Sequence, residues 1–277
     1  LYNGALAGMQ LDGKRFFYVN PLEVVPGVSG EVPGYRHVLG ARPQWYACAC
    51  CPPNLARLVT SLGGYLWSES EKGVDSHLFI GGTVKTAFGD IRLETAMPWE
   101  GAATYTLLSA VATPFALGVR IPAYARDARV TVNDQAVPAV RHGDYCHVSR
   151  SWHAGDRLCV TFSLPVRRLY ANPLAREYAG RAALMRGPLV YCLEEVDNGP
   201  NLCCLRLPRS AEVRPLPFDP ALLGGVTPLE MQGQRLTIPA ELYGEAPPSS
   251  SPTTLKAIPY YAWSNRQPGG MCVWISE

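Results

Sequence analysis

The run Gly155-Asp156-Arg157-Leu158-Cys159-Val160-Thr161-Phe162-Ser163-Leu164 places an apolar residue at every second position after a Gly-Asp turn. A period of two belongs to a strand with one buried face, and a tight turn at its start suits an antiparallel neighbour. The period recurs at Leu78 and Ile80, at Ile91, Leu93 and Thr95, and from Phe115 through Leu117 and Val119 to Ile121. Val130 and Val132 repeat it before the turn-like Asn133-Asp134. Short strands parted by Gly, Pro and Asp turns predict an antiparallel β-sandwich over residues 73–172, ending near Asn172-Pro173.

Outward from this region the pattern changes on both sides. Toward the C-terminus, Ala183-Leu184-Met185 and Leu189-Val190-Tyr191-Cys192-Leu193 flank the turn Arg186-Gly187-Pro188, and Met271-Cys272-Val273-Trp274-Ile275 reads as a closing strand. Between them, prolines at 208, 215, 217 and 220 act as joints, and residues 245–254 read as a loop by composition. Residues 173–277 are therefore expected to form a second β domain. Toward the N-terminus, residues 1–72 are mixed. Residues 1–6 look like the middle of a helix, which implies that the chain is the C-terminal part of a longer protein. Asp12-Gly13 is a hairpin signal, and residues 21–43 are a Pro- and Gly-rich loop of a length that is usually functional. A helix then starts at Pro52-Pro53, carries Leu55, Leu58 and Leu62 on near-helical spacing, and stops at Gly63-Gly64. The expected fold class is mainly β with an α-helical N-terminal remnant.

Composition limits the function classes. An apolar fraction of 47% and a charged fraction of 17% describe a globular protein, and a net charge of +2 argues against nucleic acid or an anionic membrane as partner. No run of about 20 apolar residues is present to span a bilayer. Nine cysteines, an odd count with vicinal pairs at Cys50-Cys51 and Cys203-Cys204, do not suit a disulfide framework. Free thiols in a reducing compartment such as the cytoplasm are the expectation. Cys203-Cys204, between Leu202 and Leu205, reads as part of a buried strand.

The chemistry concentrates in Cys48-Ala49-Cys50-Cys51-Pro52-Pro53-Asn54. Cys50 and Cys51 fall at the mouth of the helix, where the helix dipole favours thiolate over thiol. Clustered thiolates can ligate zinc, though the spacing supplies two or three ligands, and small buried cysteines before a helix would look the same. A thiolate can also replace the nucleophilic carboxylate of a glycosidase if something keeps it ionised, as metal coordination does. The five histidines, His37, His77, His142, His147 and His153, are scattered and suggest no ligand set. Trp152-His153 with Gly155-Asp156 reads as a strand-to-turn transition.

Gln44-Trp45-Tyr46-Ala47-Cys48-Ala49-Cys50-Cys51-Pro52-Pro53-Asn54-Leu55-Ala56-Arg57 closely resembles the signature of the β-L-arabinofuranosidase family, glycoside hydrolase family 127. The resemblance continues through Phe17-Tyr18-Val19-Asn20-Pro21-Leu22, Arg120-Ile121-Pro122, Met185-Arg186-Gly187-Pro188 and Ala257-Ile258-Pro259-Tyr260-Tyr261-Ala262-Trp263-Ser264-Asn265-Arg266, so that it covers essentially the whole chain. It implies the end of an (α/α)6 barrel at 1–72 followed by two β-sandwich domains at 73–172 and 173–277. It also implies a retaining, zinc-dependent release of L-arabinofuranose or a related sugar from plant glycans. By position, Cys50 would be the nucleophile and a zinc ligand, Cys51 a second ligand, and Cys48 a motif residue without a ligand role. Tyr18 would line the sugar pocket. The resemblance places the remaining zinc ligands and the acid/base glutamate before the equivalent of Leu1, so the chain alone is expected to be inactive; Glu23 and Glu31 read as solvated loop residues. A homodimer is a further implication. Two other readings stay open from the residues: a non-catalytic β-sandwich module for glycan binding or assembly, and a structural zinc site.

Overall fold

The structure is a computed structural model that describes residues 1–277 apart from Tyr46, Ala47 and Ala49, which fall inside the signature quoted above. It is mostly strand, with α-helices at Gly4–Ala7, Cys51–Ser61 and Glu195–Asn198 among the described residues. The chain forms two compact units, Ala56–Pro165, and Leu1–Leu55 together with Val166–Glu277.

In the unit Ala56–Pro165, two sheets enclose one core. The six-stranded sheet runs in the order Gly82–Thr86, Gly89–Thr95, Ala102–Leu107, Arg157–Ser163, Arg126–Val132, Gln135–Ala136. The five-stranded sheet runs Val140–His142, Tyr145–Arg150, Phe115–Arg120, Gly73–Ser76, Trp67–Ser70. Arg157–Ser163 is a central strand, and Leu158, Val160 and Phe162 point inward as its period requires. They meet Tyr105, Ile91 and Leu93 of their own sheet and Leu117, Val119 and Val148 of the other. Burial of each such side chain contributes about 1.5–3 kcal/mol. Asn133 and Asp134 both take positive φ, 50° and 65°, as a two-residue hairpin turn demands.

Asp156 ties this hairpin to the next strand. It accepts from Asn133 Nδ2 at 2.8 Å and from the backbone N–H of His153 at 3.0 Å. Trp152 is buried and donates its indole N–H to Phe115 O. The Trp-His…Gly-Asp segment is thus the strand-to-turn transition that its sequence suggests. One expected strand does not form. At Leu78 and Ile80 the chain bends, and the residue between them, Phe79, turns inward against Phe162 at a ring separation of 5.5 Å. The large aromatic side chain wins the buried position over its aliphatic neighbours.

The unit formed by Leu1–Leu55 and Val166–Glu277 is built on a ten-stranded sheet. Its main path is Glu23–Val24, Met271–Cys272, Leu189–Glu194, Ser250–Pro259, Leu229–Leu236, Leu205–Arg206. Arg181–Arg186 pairs with Leu189–Glu194 and with Val166–Leu169, so the strand ahead of Asn172-Pro173 belongs to this sheet. The N-terminal segment is an integral part of the same core: Ala7, Phe17 and Val24 pack with Cys192, Ile258, Trp263 and Met271.

Three sequence expectations change here. Residues 250–254, expected in a loop, begin the strand Ser250–Pro259. That first half pairs with Leu229–Leu236 alone, and an edge tolerates the missing N–H of Pro252. Cys203-Cys204 is not a buried strand but part of a 3-10 turn, Leu202–Cys204, in which Cys203 is exposed and the flanking Leu202 and Leu205 take the buried places. The closing strand is split into Met271–Cys272 and Ile275–Ser276, because Val273 donates its N–H to Leu22 O between them. All nine cysteines are free thiols, and no described helix is long and apolar enough to cross a membrane.

Candidate active site

The residues singled out from the sequence come together within the unit that contains the N-terminal segment. Phe16 and Phe17 are fixed by backbone bonds to Pro43 O and Gly8 O. Phe17 is buried and stacks on Trp263, with ring centroids 4.8 Å apart and planes 9° apart. Strand-like alternation then turns the next side chain, Tyr18, outward, where it is 41% exposed. Two residues on, Asn20 donates to Gly4 O at 2.7 Å, and Pro21 O accepts from the buried Tyr260 hydroxyl at 2.7 Å. Tyr18 therefore rides on a segment pinned on both sides.

Cys50 stands immediately before the helix Cys51–Ser61, and its carbonyl accepts the first helical bond, from Asn54 N at 3.2 Å. Pro52 and Pro53 occupy the first turn, where no N–H is needed. The Cys50 Sγ lies 3.2 Å from the Tyr18 hydroxyl and 3.6 Å from the Cys51 Sγ. As a thiol Cys50 donates to the Tyr18 hydroxyl; as a thiolate it accepts from that hydroxyl above all, and then from the Cys51 thiol, which holds its pKa below the ordinary thiol value. The partners shift the opposite way: the hydrogen bond to Cys50 raises Tyr18, and the same interaction raises Cys51. One sulfur of the pair is thus the favoured thiolate and the other its proton-bearing neighbour. Cys50 and Cys48 are exposed to solvent.

Two sulfurs bound to one tetrahedral zinc at about 2.3 Å would lie roughly 3.8 Å apart. The observed 3.6 Å fits that edge, so Cys50 and Cys51 suit two positions of a zinc site. Among the described residues, no group of three or more His, Cys, Asp or Glu is arranged to hold a metal. Glu23 lies in the strand Glu23–Val24 and pairs with Arg181 at 3.7 Å, while Glu31 is an exposed loop residue. The histidines are placed elsewhere: His77 bonds Tyr145, His147 bonds Asp75, and His37 and His142 are exposed.

One residue that the sequence did not single out holds this region together. Arg42 is 3% exposed and donates to Ala7 O from Nε and Nη2, at 3.1 and 2.8 Å, and to Trp263 O from Nη1 at 2.8 Å. Its guanidinium lies 4.4 Å from the Phe17 ring centroid. It locks the segment leading to Cys50 against the one carrying Tyr18. Nothing in the spacing around Ala41-Arg42-Pro43 marks it, because its partners come from far away in sequence.

Comparison with known proteins adds identity to this geometry. Residues 1–64 match the β-L-arabinofuranosidase GH127 catalytic domain, residues 73–166 the GH127 middle domain, and residues 166–276 the glycoside hydrolase family 127 C-terminal domain. The chain is 39% identical to a non-reducing end β-L-arabinofuranosidase of Bifidobacterium longum subsp. longum, over 99% of this chain and 44% of that protein. Among solved structures, it resembles Ara127N-Se, a GH127 β-L-arabinofuranosidase from Geobacillus stearothermophilus T6, with a TM-score of 0.93 and 44% identity over 100% of this chain and 45% of that one. It also resembles the GH127 β-arabinofuranosidase BT3674, with a TM-score of 0.85 and 31% identity over 99% and 44% of the two chains. The chain spans a little under half the length of these relatives. Three family domains matched in order, with the cysteine pair and Tyr18 gathered at the end of the first, make this chain a member of glycoside hydrolase family 127.

Proposed function

We propose that this chain carries the nucleophile of a retaining glycoside hydrolase that releases L-arabinofuranose or a related sugar from glycans. The observation that supports it best is the Cys50 sulfur, exposed at a helix N-terminus, 3.2 Å from the Tyr18 hydroxyl and shifted toward the thiolate. Cys50 attacks the anomeric carbon, a C–S bond forms, and the glycosidic C–O bond breaks with its electron pair going to the departing oxygen. A general acid protonates that oxygen and, as its conjugate base, accepts the proton of water in the second step; among the described residues no carboxylate hydrogen-bonds Cys50, whose partners at 3.2 and 3.6 Å are the Tyr18 hydroxyl and the Cys51 thiol. Water then attacks the same carbon, the C–S bond breaks, and the two inversions give net retention. Tyr18, placed beside the attacking sulfur, orients it and meets the sugar. Zinc held by Cys50 and Cys51 would keep the thiol ionised near neutral pH while lowering its nucleophilicity.

The test is a chimera in which residues 1–277 replace the matching part of the Geobacillus protein. Sugar release from a β-L-arabinofuranoside is expected, and Cys50→Ser should lower it by about a thousandfold or more with unchanged circular dichroism. Near-parental turnover by a folded Cys50→Ser chimera overturns the reading.

A further inference from the structure

A cavity lies in the same unit, lined by none of Tyr18, Cys50 and Cys51. It has a volume of about 500 Å³ and is lined by Tyr35, Tyr178 and Trp274 and by Glu23, Glu177 and Arg181. Its roof is the Pro- and Gly-rich loop that follows Tyr18. That loop is closed by its own bonds: Val28 and Ser29 donate to Val25 O, Gly30 donates to Tyr35 O, and Tyr35 and Val38 donate to Val32 O and Tyr35 O. Between residues 25 and 37 most of its side chains are exposed, so the internal bonding there buries little of the core. What it does is hold Tyr35, 55% exposed, over the cavity. Ordered exposed loops of this length are commonly binding elements.

The lining defines a ligand class. Tyr178 and Trp274 stack with centroids 4.7 Å apart and planes 24° apart, which gives a rigid aromatic wall. Arg181 and Glu23 face each other at 3.7 Å with side chains 32% and 48% exposed, so both retain capacity for a ligand. Glu177 adds a second exposed carboxylate. Two carboxylates against one guanidinium disfavour a phosphate or another anion. The mixture of aromatic faces with strong donors and acceptors matches a molecule that has a C–H face and a rim of hydroxyls, each able to donate and accept. A sugar is that molecule, and the volume falls in the range of small-ligand sites.

We infer that this cavity is a binding subsite for a neutral saccharide, separate from the Tyr18–Cys50 pair. The choice of an arabinose-based probe rests on the glycosidase reading above; the chemistry of the lining does not. The site would hold a further part of a glycan and contributes no group to bond cleavage.

The 277-residue chain carrying Cys50→Ser, which cannot turn the ligand over, is titrated with methyl β-L-arabinofuranoside and with an arabino-oligosaccharide. Binding is read from the indole ¹⁵N–H resonance of Trp274, assigned by its loss in Trp274→Phe. A saturable shift is expected, weakened about threefold to tenfold in Tyr35→Ala and in Glu177→Gln, whose exposed positions leave the fold intact. Absence of saturation with either sugar overturns the inference, as does saturation that both variants leave unchanged. Saturation by indole in place of the sugars overturns it too. Loss of sugar release in the chimera with saccharide binding intact would fail the nucleophile reading alone, and the converse would fail this inference alone.

Discussion

Replacing Arg42 by Met removes the donors that tie the N-terminal segment into the core and keeps most of the side-chain volume. In the native structure the guanidinium satisfies Ala7 O twice and Trp263 O once, with a further bond to Ser264 O at 3.2 Å, and it lies over Phe17. Met leaves Ala7 O without these donors in a buried setting, which costs about 1–3 kcal/mol. Trp263 O keeps a bond from Asn265 Nδ2 at 3.2 Å, so its loss is smaller. The cation over the Phe17 ring contributes about 1–2 kcal/mol when desolvated. The total is roughly 3–5 kcal/mol, a large part of the about 5–15 kcal/mol that holds a domain folded. Arg42→Lys keeps the charge but cannot reach both carbonyls with one ammonium, so an intermediate loss is expected. Urea titration followed by hydrogen exchange reads each unit separately, using peptides around Ile258–Trp263 and around Leu158–Phe162. The midpoint of the first set should fall while the second holds. A loss below about 1 kcal/mol, or an equal loss in both sets, would refute the assignment of Arg42 as the local clamp.

Two further outcomes follow from the electrostatics. In metal-free protein, Tyr18→Phe should raise the Cys50 pKa toward that of an ordinary thiol, because the main donor to the thiolate is gone. The thiolate fraction at neutral pH then falls, and the pH profile of iodoacetamide labelling at Cys50 moves to higher pH; an unmoved profile contradicts the hydrogen bond. In the sandwich, burial works to raise the pKa of Asp156, but the bonds from Asn133 and His153 N–H and the nearby Arg150 outweigh it and leave the pKa below its usual 3.8. A depressed carboxyl pKa contributes stability that is fully present above the unfolded value and is lost as pH falls through the folded one. Asp156→Asn should therefore flatten the loss of stability of Ala56–Pro165 below about pH 4, measured by thermal melts across pH, and an unchanged slope would count against it.

The parts of this fold that were legible in the sequence are those where a local period coincides with one-sided burial. Leu158, Val160 and Phe162 could be placed because each strand residue faces either core or solvent, and Asn133-Asp134 because a two-residue hairpin needs positive φ. Ser250–Pro259 hid behind Ser, Thr and Pro, since an edge pairing imposes little on composition. Cys203 was misplaced because the apolar neighbours Leu202 and Leu205 are buried while the turn between them is not. Of the candidate site, Cys50 and Tyr18 were named, and the structure sets them 3.2 Å apart across 32 positions of sequence. Arg42 was invisible because Ala7 O and Trp263 O lie 35 and 221 positions away, and no local pattern reports such a bond.

The division of the chain also sets an order of events during synthesis. Phe17, Ala7 and Val24 are made before the residues that cover them, which include Ile258, Trp263 and Met271, and the whole of residues 56–165 is made in between. At about 5–20 residues per second, that intervening stretch alone delays closure by on the order of ten seconds. The sandwich can mature on the ribosome during that interval, whereas the nascent N-terminal segment waits with its aromatic side exposed. A chain cut short before Trp263 would have the sandwich closed but Phe17 without its stacking partner, apolar surface of the kind that chaperones bind.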